Sequence, residues 1–110
     1  MNIQIFGKSK CFDTKKAERW FKERRIKYQY IDLVKYGMSR GEFQSVKNAL
    51  GMEQLLDEKA KGAELIRYLA HAQDREEKLL ENQNLLRTPI VRNGKQATVG
   101  FAPEVWESWN

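Results

Sequence analysis

Two hydrophobic rhythms alternate along the chain, and the points where one gives way to the other divide it into elements. "IQIF" alternates apolar and polar positions and is rich in β-formers, which predicts a strand over Ile3–Phe6 ended by the turn residues "GKSK". "FDTKKAERWFKERRI" shifts to a spacing of three and four, with Ala17, Trp20, Phe21 and Arg24 in series and Asp13 or Thr14 as N-cap. That pattern predicts an amphipathic helix of about three turns. "KYQYIDL" returns to alternation, with Tyr28, Tyr30 and Ile31 suited to a second strand. Residues 3–33 therefore read as a βαβ unit, with parallel strands joined by a right-handed crossover.

The middle of the chain is helical in rhythm. "VKYGMSRGEFQSVKNALG" carries a turn at Gly37, a cap at Ser39 and an apolar series Phe43, Val46, Leu50 that stops at Gly51. Two further helical segments follow, with Leu65, Ile66 and Leu69, then Leu79 and Leu80, as inward positions. The ending "TPIVRNGKQATVGFAPEVWESW" predicts strands Ile90–Arg92 and Gln96–Val99 around an Asn-Gly hairpin turn. A terminal helix then starts at Pro103, with Val105, Trp106 and Trp109 covering the sheet. Assembled, the order is β-α-β, a helical insert at about residues 38–86, then β-β-α. This is an α/β chain with a mixed four-stranded sheet, on the plan of the thioredoxin-like fold, and a single domain over residues 1–110 is expected.

Composition narrows the functional classes. An apolar fraction of 41% argues for a folded chain rather than a disordered one. No run reaches the roughly 18 apolar residues of a membrane span, and "MNIQIFGKSK" lacks the hydrophobic region of a signal peptide, so a cytoplasmic, membrane-free location is expected. The lone cysteine, Cys11, forms no internal disulfide, and any redox chemistry needs a second sulfur from outside. The net charge of +5 is concentrated: residues 8–35 hold ten Lys or Arg against four Asp or Glu. Such a patch attracts anions, acidic thiols or an acidic protein surface. No helix-turn-helix, RNA-binding aromatic motif or zinc-finger spacing accompanies it, so direct nucleic-acid binding is not expected. His71 stands without cysteine or acidic neighbours at ligand spacing, and no metal site is expected. Trp20, Trp106 and Trp109 read as core, and "DREEKLLE" as a solvated helix face.

Position makes Cys11 the candidate nucleophile. It lies between the end of the first strand and the start of the first helix, where unpaired backbone N–H groups and the positive end of the helix dipole favour a thiolate. Lys8, Lys10, Lys15 and Lys16 add positive charge, and the Thr14 hydroxyl is a candidate donor to the sulfur. "RTPIV" puts Pro89 at the entry to the third strand, where thioredoxin-like folds carry a cis proline beside the active cysteine; by this analogy Thr88 is a contact residue.

At these residues the chain resembles the ArsC/Spx family of glutaredoxin-linked arsenate reductases, Spx transcriptional regulators and related uncharacterised proteins. The resemblance runs through "GKSKCFDTKKAERWFKERRIKYQYIDL", "LGMEQLLDEK" and "LLRTPIVRNGKQATVGF". It implies that Cys11 is the nucleophile, with Lys8, Lys10, Thr14, Lys15, Arg87, Thr88 and Pro89 on the substrate side. Arsenate reductases of this type follow the cysteine with serine and arginine at the third and fourth positions, where this chain has Thr14 and Lys15. Their oxyanion-holding arginines align with Asp57, Thr88 and the Gly100–Phe101 pair. An acidic Asp57 repels a sulfur-bound arsenate, and lysine lacks the arginine fork.

Spx regulators carry a CxxC switch, but Thr14 occupies the second cysteine's place; Arg87 matches an arginine of their "RRPI" motif. The reading that follows is an arsenate reductase-like oxidoreductase without a bound cofactor. Its single cysteine forms a mixed disulfide with a small-molecule or protein thiol or disulfide, and an external thiol, glutathione or a glutaredoxin, resolves it. The alternative is an Spx-like regulator that binds RNA polymerase.

Overall fold

Strand pairing organises the molecule, and a computed structural model describes it over residues 1–109. Asn110, the last residue of the stretch "FAPEVWESWN" expected to form the terminal helix, lies outside the described residues. The strands are β1 (Ile3–Gly7), β2 (Tyr28–Asp32), β3 (Ile90–Asn93) and β4 (Gln96–Val99), in the order β2-β1-β3-β4. β1 runs parallel to β2 and antiparallel to β3, and β3 pairs antiparallel with β4, giving the mixed sheet expected from the sequence.

Side-chain alternation splits the core between the two faces. Ile3, Ile5 and Val91 join Ala17, Trp20 and Phe21 of α1 (Phe12–Glu23) and the tryptophans Trp106 and Trp109, of which Trp106 belongs to α6 (Pro103–Glu107). There the rings of Trp20, Phe21 and Trp106 pack with centroids 4.9–5.3 Å apart, and the buried Trp106 indole donates to Thr98 Oγ1 at 2.8 Å. Phe6 and Ile90 face the other way, into a cluster with Leu33, Phe43, Val46 and the helices of the insert.

The insert holds four helices: α2 (Arg40–Leu50), α3 (Met52–Leu55), α4 (Ala63–Arg67) and α5 (Ala72–Glu81), followed by a 3₁₀ turn at Gln83–Leu85. Ser39 caps α2 in a reciprocal capping box with Glu42, as its position in the sequence suggests. Beyond Gly51 the expected two segments are three, because Gly51 and Gly62, at φ 86° and 101°, turn the chain where a helix cannot continue. Leu65 is correspondingly 70% exposed rather than inward, while Ile66 and Leu79 are buried. Val105 is also exposed, so Trp106 and Trp109 cover the sheet without it.

The strand registers fix the location of the site. Gly7 ends β1 opposite Asp32 at the end of β2, Phe6 pairs with Ile90 at the start of β3, and Ile90 pairs with Val99 near the end of β4. The loop after β1, the Thr88–Pro89 entry to β3 and the Gly100 exit of β4 therefore converge at one edge of the sheet.

Candidate functional site

Cys11 itself is the N-cap of α1, two or three residues earlier than Asp13 or Thr14. Its backbone is extended, and its carbonyl accepts from Lys15 N at 3.3 Å, closing the first turn. Asp13 falls inside that turn, where its negative charge complements the dipole instead of capping it. Cys11 N donates back to Lys8 O at 3.1 Å, so the loop is a tight turn that delivers the sulfur to the helix N-terminus.

The sulfur is half-buried, which leaves it open to a partner, and the thiol donates to Thr88 O at 3.6 Å. Thr88–Pro89 is a cis peptide, and Pro89 O accepts from Gly100 N at 2.8 Å. Thr14 is buried, and its Oγ1 has no hydrogen-bond partner in the structure. Deprotonation changes that, because a thiolate is an acceptor only. Burial pushes the Cys11 thiol up, but the side chains of Thr14 and Thr88 and the backbone N–H groups of Thr14 and Asp13 outweigh it by hydrogen bonding to the thiolate, and the pKa lies below the ordinary thiol value.

Gly7 makes this packing possible. A Cβ there would sit 2.3 Å from Thr14 Cγ2 and 2.8 Å from Thr14 Oγ1, so only glycine lets the strand end lie against Thr14.

Lys8 plays a part that its charge alone did not announce. Its Nζ donates to Asn84 O at 2.7 Å and to Leu86 O at 2.9 Å, tying the nucleophile loop to the segment that leads into Thr88. Burial draws the Lys8 pKa down, and the charges of Asp57 and Cys11 act in the opposite direction. Lys8 is thus the candidate lysine on which the Cys11 charge acts. Lys10 and Lys15 are exposed, and Lys15 lies over the Phe12 ring at 5.9 Å. The positive charge expected from all four lysines is therefore less local than the hydrogen bonds of Thr14, Thr88 and Asp13.

Asp57 N donates to Leu85 O and Arg87 N to Leu55 O, so the α3 exit and the approach to β3 run side by side. Arg87 is exposed, with its guanidinium at 3.5 Å from Gln54 O, one residue from the sulfur's partner. Two residues near the sulfur were not singled out as candidates: the Asp13 backbone N–H, and Tyr30, whose phenol is pushed up by burial and by the charges of Asp32, Glu18 and Cys11. The parallel register of β1 and β2 is the signal that places Tyr30 there. Among the described residues, no group of three or more His, Cys, Asp or Glu is placed to hold a metal ion, and no helix is long and apolar enough to cross a membrane.

The ArsC family model matches residues 6–109, nearly the whole chain. The chain belongs to the ArsC family. A curated relative, the global transcriptional regulator Spx 2 of Oceanobacillus iheyensis, is 28% identical over 106 residues, covering 92% of this chain and 78% of its own. Among solved structures, an arsenate reductase from Vibrio cholerae superposes with a TM-score of 0.84 at 19% identity, over 98% of this chain and 97% of that one. The glutaredoxin-like NrdH-redoxin of Escherichia coli superposes with a TM-score of 0.53 at 14% identity, over 100% of this chain and 96% of that one. The fold is α/β and thioredoxin-like, as the element order suggested. ArsC membership supports a thiol-dependent redox role.

Proposed function

We propose that this ArsC-family chain is a monothiol oxidoreductase in which Cys11 is the nucleophile and Thr14, Thr88 and Lys8 stabilise its thiolate. The Cys11 thiolate attacks one sulfur of a disulfide; the new Sγ–S bond forms as the old S–S bond breaks, and the departing thiolate takes a proton from water. The resulting mixed disulfide is resolved by an external thiol, glutathione or a glutaredoxin, which leaves with the substrate sulfur and returns Cys11 to its reduced form. A second cysteine within the chain is not required. The single observation that supports this reading is a half-buried sulfur at the N-cap of α1, whose pKa the hydrogen bonds of Thr14, Thr88 and Asp13 draw below the ordinary thiol value.

Arsenate fits the site less well, because the positions aligned with the oxyanion-holding arginines are Asp57, Thr88 and Gly100–Phe101, and Asp57 lies close enough for its charge to act on Lys8. Incubation with hydroxyethyl disulfide followed by intact-mass measurement tests the reading: a single adduct on the wild type, none on Cys11→Ser, and removal of the adduct by glutathione are expected. An unmodified wild-type protein would refute it. The regulator alternative draws on the Spx 2 relative and on exposed Arg87. It predicts capture of RNA polymerase that persists in Cys11→Ser and is lost in Arg87→Ala.

A further inference from the structure

Several exposed apolar side chains gather at the end of the molecule that carries Cys11. Phe12, the residue after the cysteine, is 79% exposed, Val34 70%, Tyr36 76% and Phe101 41%. Val34 and Tyr36 follow the end of β2 opposite Gly7, and Phe101 follows the residue whose N–H binds Pro89. Scattered exposed apolar residues are ordinary, but large ones gathered around a reactive group mark a contact surface.

Each of the three aromatic rings also carries a lysine ammonium over its face: Lys15 on Phe12 at 5.9 Å, Lys35 on Tyr36 at 5.6 Å and Lys16 on Phe101 at 5.9 Å. The nearby carboxylates are engaged locally. Asp32 accepts from the backbone N–H groups of Val34 and Lys35, Asp13 pairs with Lys16 at 3.9 Å, and Asp57 accepts from Lys59 N. The exposed rings around the sulfur therefore each carry a lysine, with the carboxylates beside them held by local bonds.

Its shape favours a large partner over a small one. A small ligand is normally held in a concave pocket that encloses most of it. A cavity of about 890 Å³ lies in the insert, lined by Leu50, Met52, Leu56, Ile66 and Arg75 and not by the nucleophile loop. Beside the nucleophile loop lies an open depression of about 340 Å³, formed by Lys8, Ser9 and Lys10 on one side and Asp32, Val34 and Lys35 on the other.

Resting on the reading of Cys11 as a thiol–disulfide nucleophile, we propose that its disulfide partner is a protein whose cysteine lies in an acidic, apolar-flanked segment. That segment docks across Phe12, Tyr36 and Phe101, with its carboxylates on the lysines between them. The rings supply contact area at low entropic cost, while the lysines select and steer the acidic segment.

Two disulfide-linked peptides of the same sequence, one with Asp and Glu flanking the cysteine and one with Lys, separate this proposal from the reading beneath it. Hydroxyethyl disulfide serves as the small neutral control. The acidic peptide should react with Cys11 about tenfold or more faster than the basic one at low ionic strength, with the gap closing in high salt. Phe12→Ala and the pair Lys35→Glu with Tyr36→Ala should slow the acidic peptide severalfold and leave the rate with hydroxyethyl disulfide unchanged. Equal rates for the two peptides, or no effect of either variant, would overturn the docking proposal while the small disulfide still reports a working thiol. A single-stranded oligonucleotide or anionic lipid vesicles that shield Cys11 better than the acidic peptide does would overturn it as well. Failure of all three disulfides would remove the underlying reading together with the proposal.

Discussion

Replacing Thr14 with valine sets fold stability and thiol reactivity against each other. The Thr14 side chain is 1% exposed, and its Oγ1 has no hydrogen-bond partner while Cys11 is protonated. Valine has the same shape, keeps the methyl that packs against Gly7, and removes a buried hydroxyl that is unsatisfied in the thiol form. Below the thiol's pKa, folding stability should therefore be unchanged or rise by up to about 1 kcal/mol.

The thiolate loses a donor in the same substitution. A hydrogen bond to a charged group is worth about 1.5–3 kcal/mol, and competition from water at a half-exposed sulfur reduces this to about 1 kcal/mol. That corresponds to roughly fivefold less thiolate, and roughly fivefold slower alkylation, at a pH below both pKa values. Iodoacetamide alkylation at pH 6, read by intact mass beside urea melts, measures both effects. Thr14→Ser, which keeps the hydroxyl, should restore most of the rate. A Thr14→Val protein that alkylates like the wild type would refute the role of the hydroxyl, and one that loses several kcal/mol would show that Oγ1 has a structural partner.

Other substitutions test other parts of the account. Gly7→Ala should displace Thr14 and cost about 1–3 kcal/mol in urea melts, because a Cβ 2.3 Å from Thr14 Cγ2 overpacks the strand end; wild-type stability would contradict the close approach. Lys8→Met keeps the stem but loses the bonds to Asn84 O and Leu86 O, and should cost about 1–3 kcal/mol and slow alkylation at pH 6; no change in either would remove Lys8 from the site.

Stability should also depend on pH through Cys11, whose pKa is lower in the folded chain than in the unfolded one. The resulting stabilisation is complete above the unfolded thiol value of about 8.5 and is lost as pH falls through the folded value. The unfolding free energy of wild type relative to Cys11→Ser should therefore rise between pH 6 and 9; a flat or falling difference would contradict the shift.

The elements with strong local rhythm were legible in the sequence. β1, α1 and β2 follow from the switch between periods of two and three to four, and the β3–β4 hairpin from Asn93-Gly94, where Gly94 has φ 60°. The insert was less legible because contacts distant in sequence hold it. The Leu56–Leu86 bridge and the bonds from Asp57 N to Leu85 O and from Arg87 N to Leu55 O join positions about thirty residues apart, which no periodicity records.

The site divides in the same way. Cys11 and Thr14 were visible from their places at a strand end and a helix start, Thr88 and Pro89 through the analogy with thioredoxin-like folds, and the structure brings the four together. Lys8 was visible only as a charge, since the carbonyls of Asn84 and Leu86 that hold it arrive from the far end of the insert. Lys10 and Lys15 belong to the same charged run but stand in solvent, Lys10 on the outside of the Lys8–Cys11 turn and Lys15 on the exposed face of α1.

The central claim is that the fold holds Cys11 as a stabilised, accessible thiolate. The rate of iodoacetamide alkylation against pH, measured on the native protein and again in denaturant, tests it most directly. The account predicts a native rate that stays high well below the pH at which the unfolded thiol loses its reactivity. A native rate slower than the unfolded one across the whole range would contradict it, and would leave Cys11 an inert part of the packing.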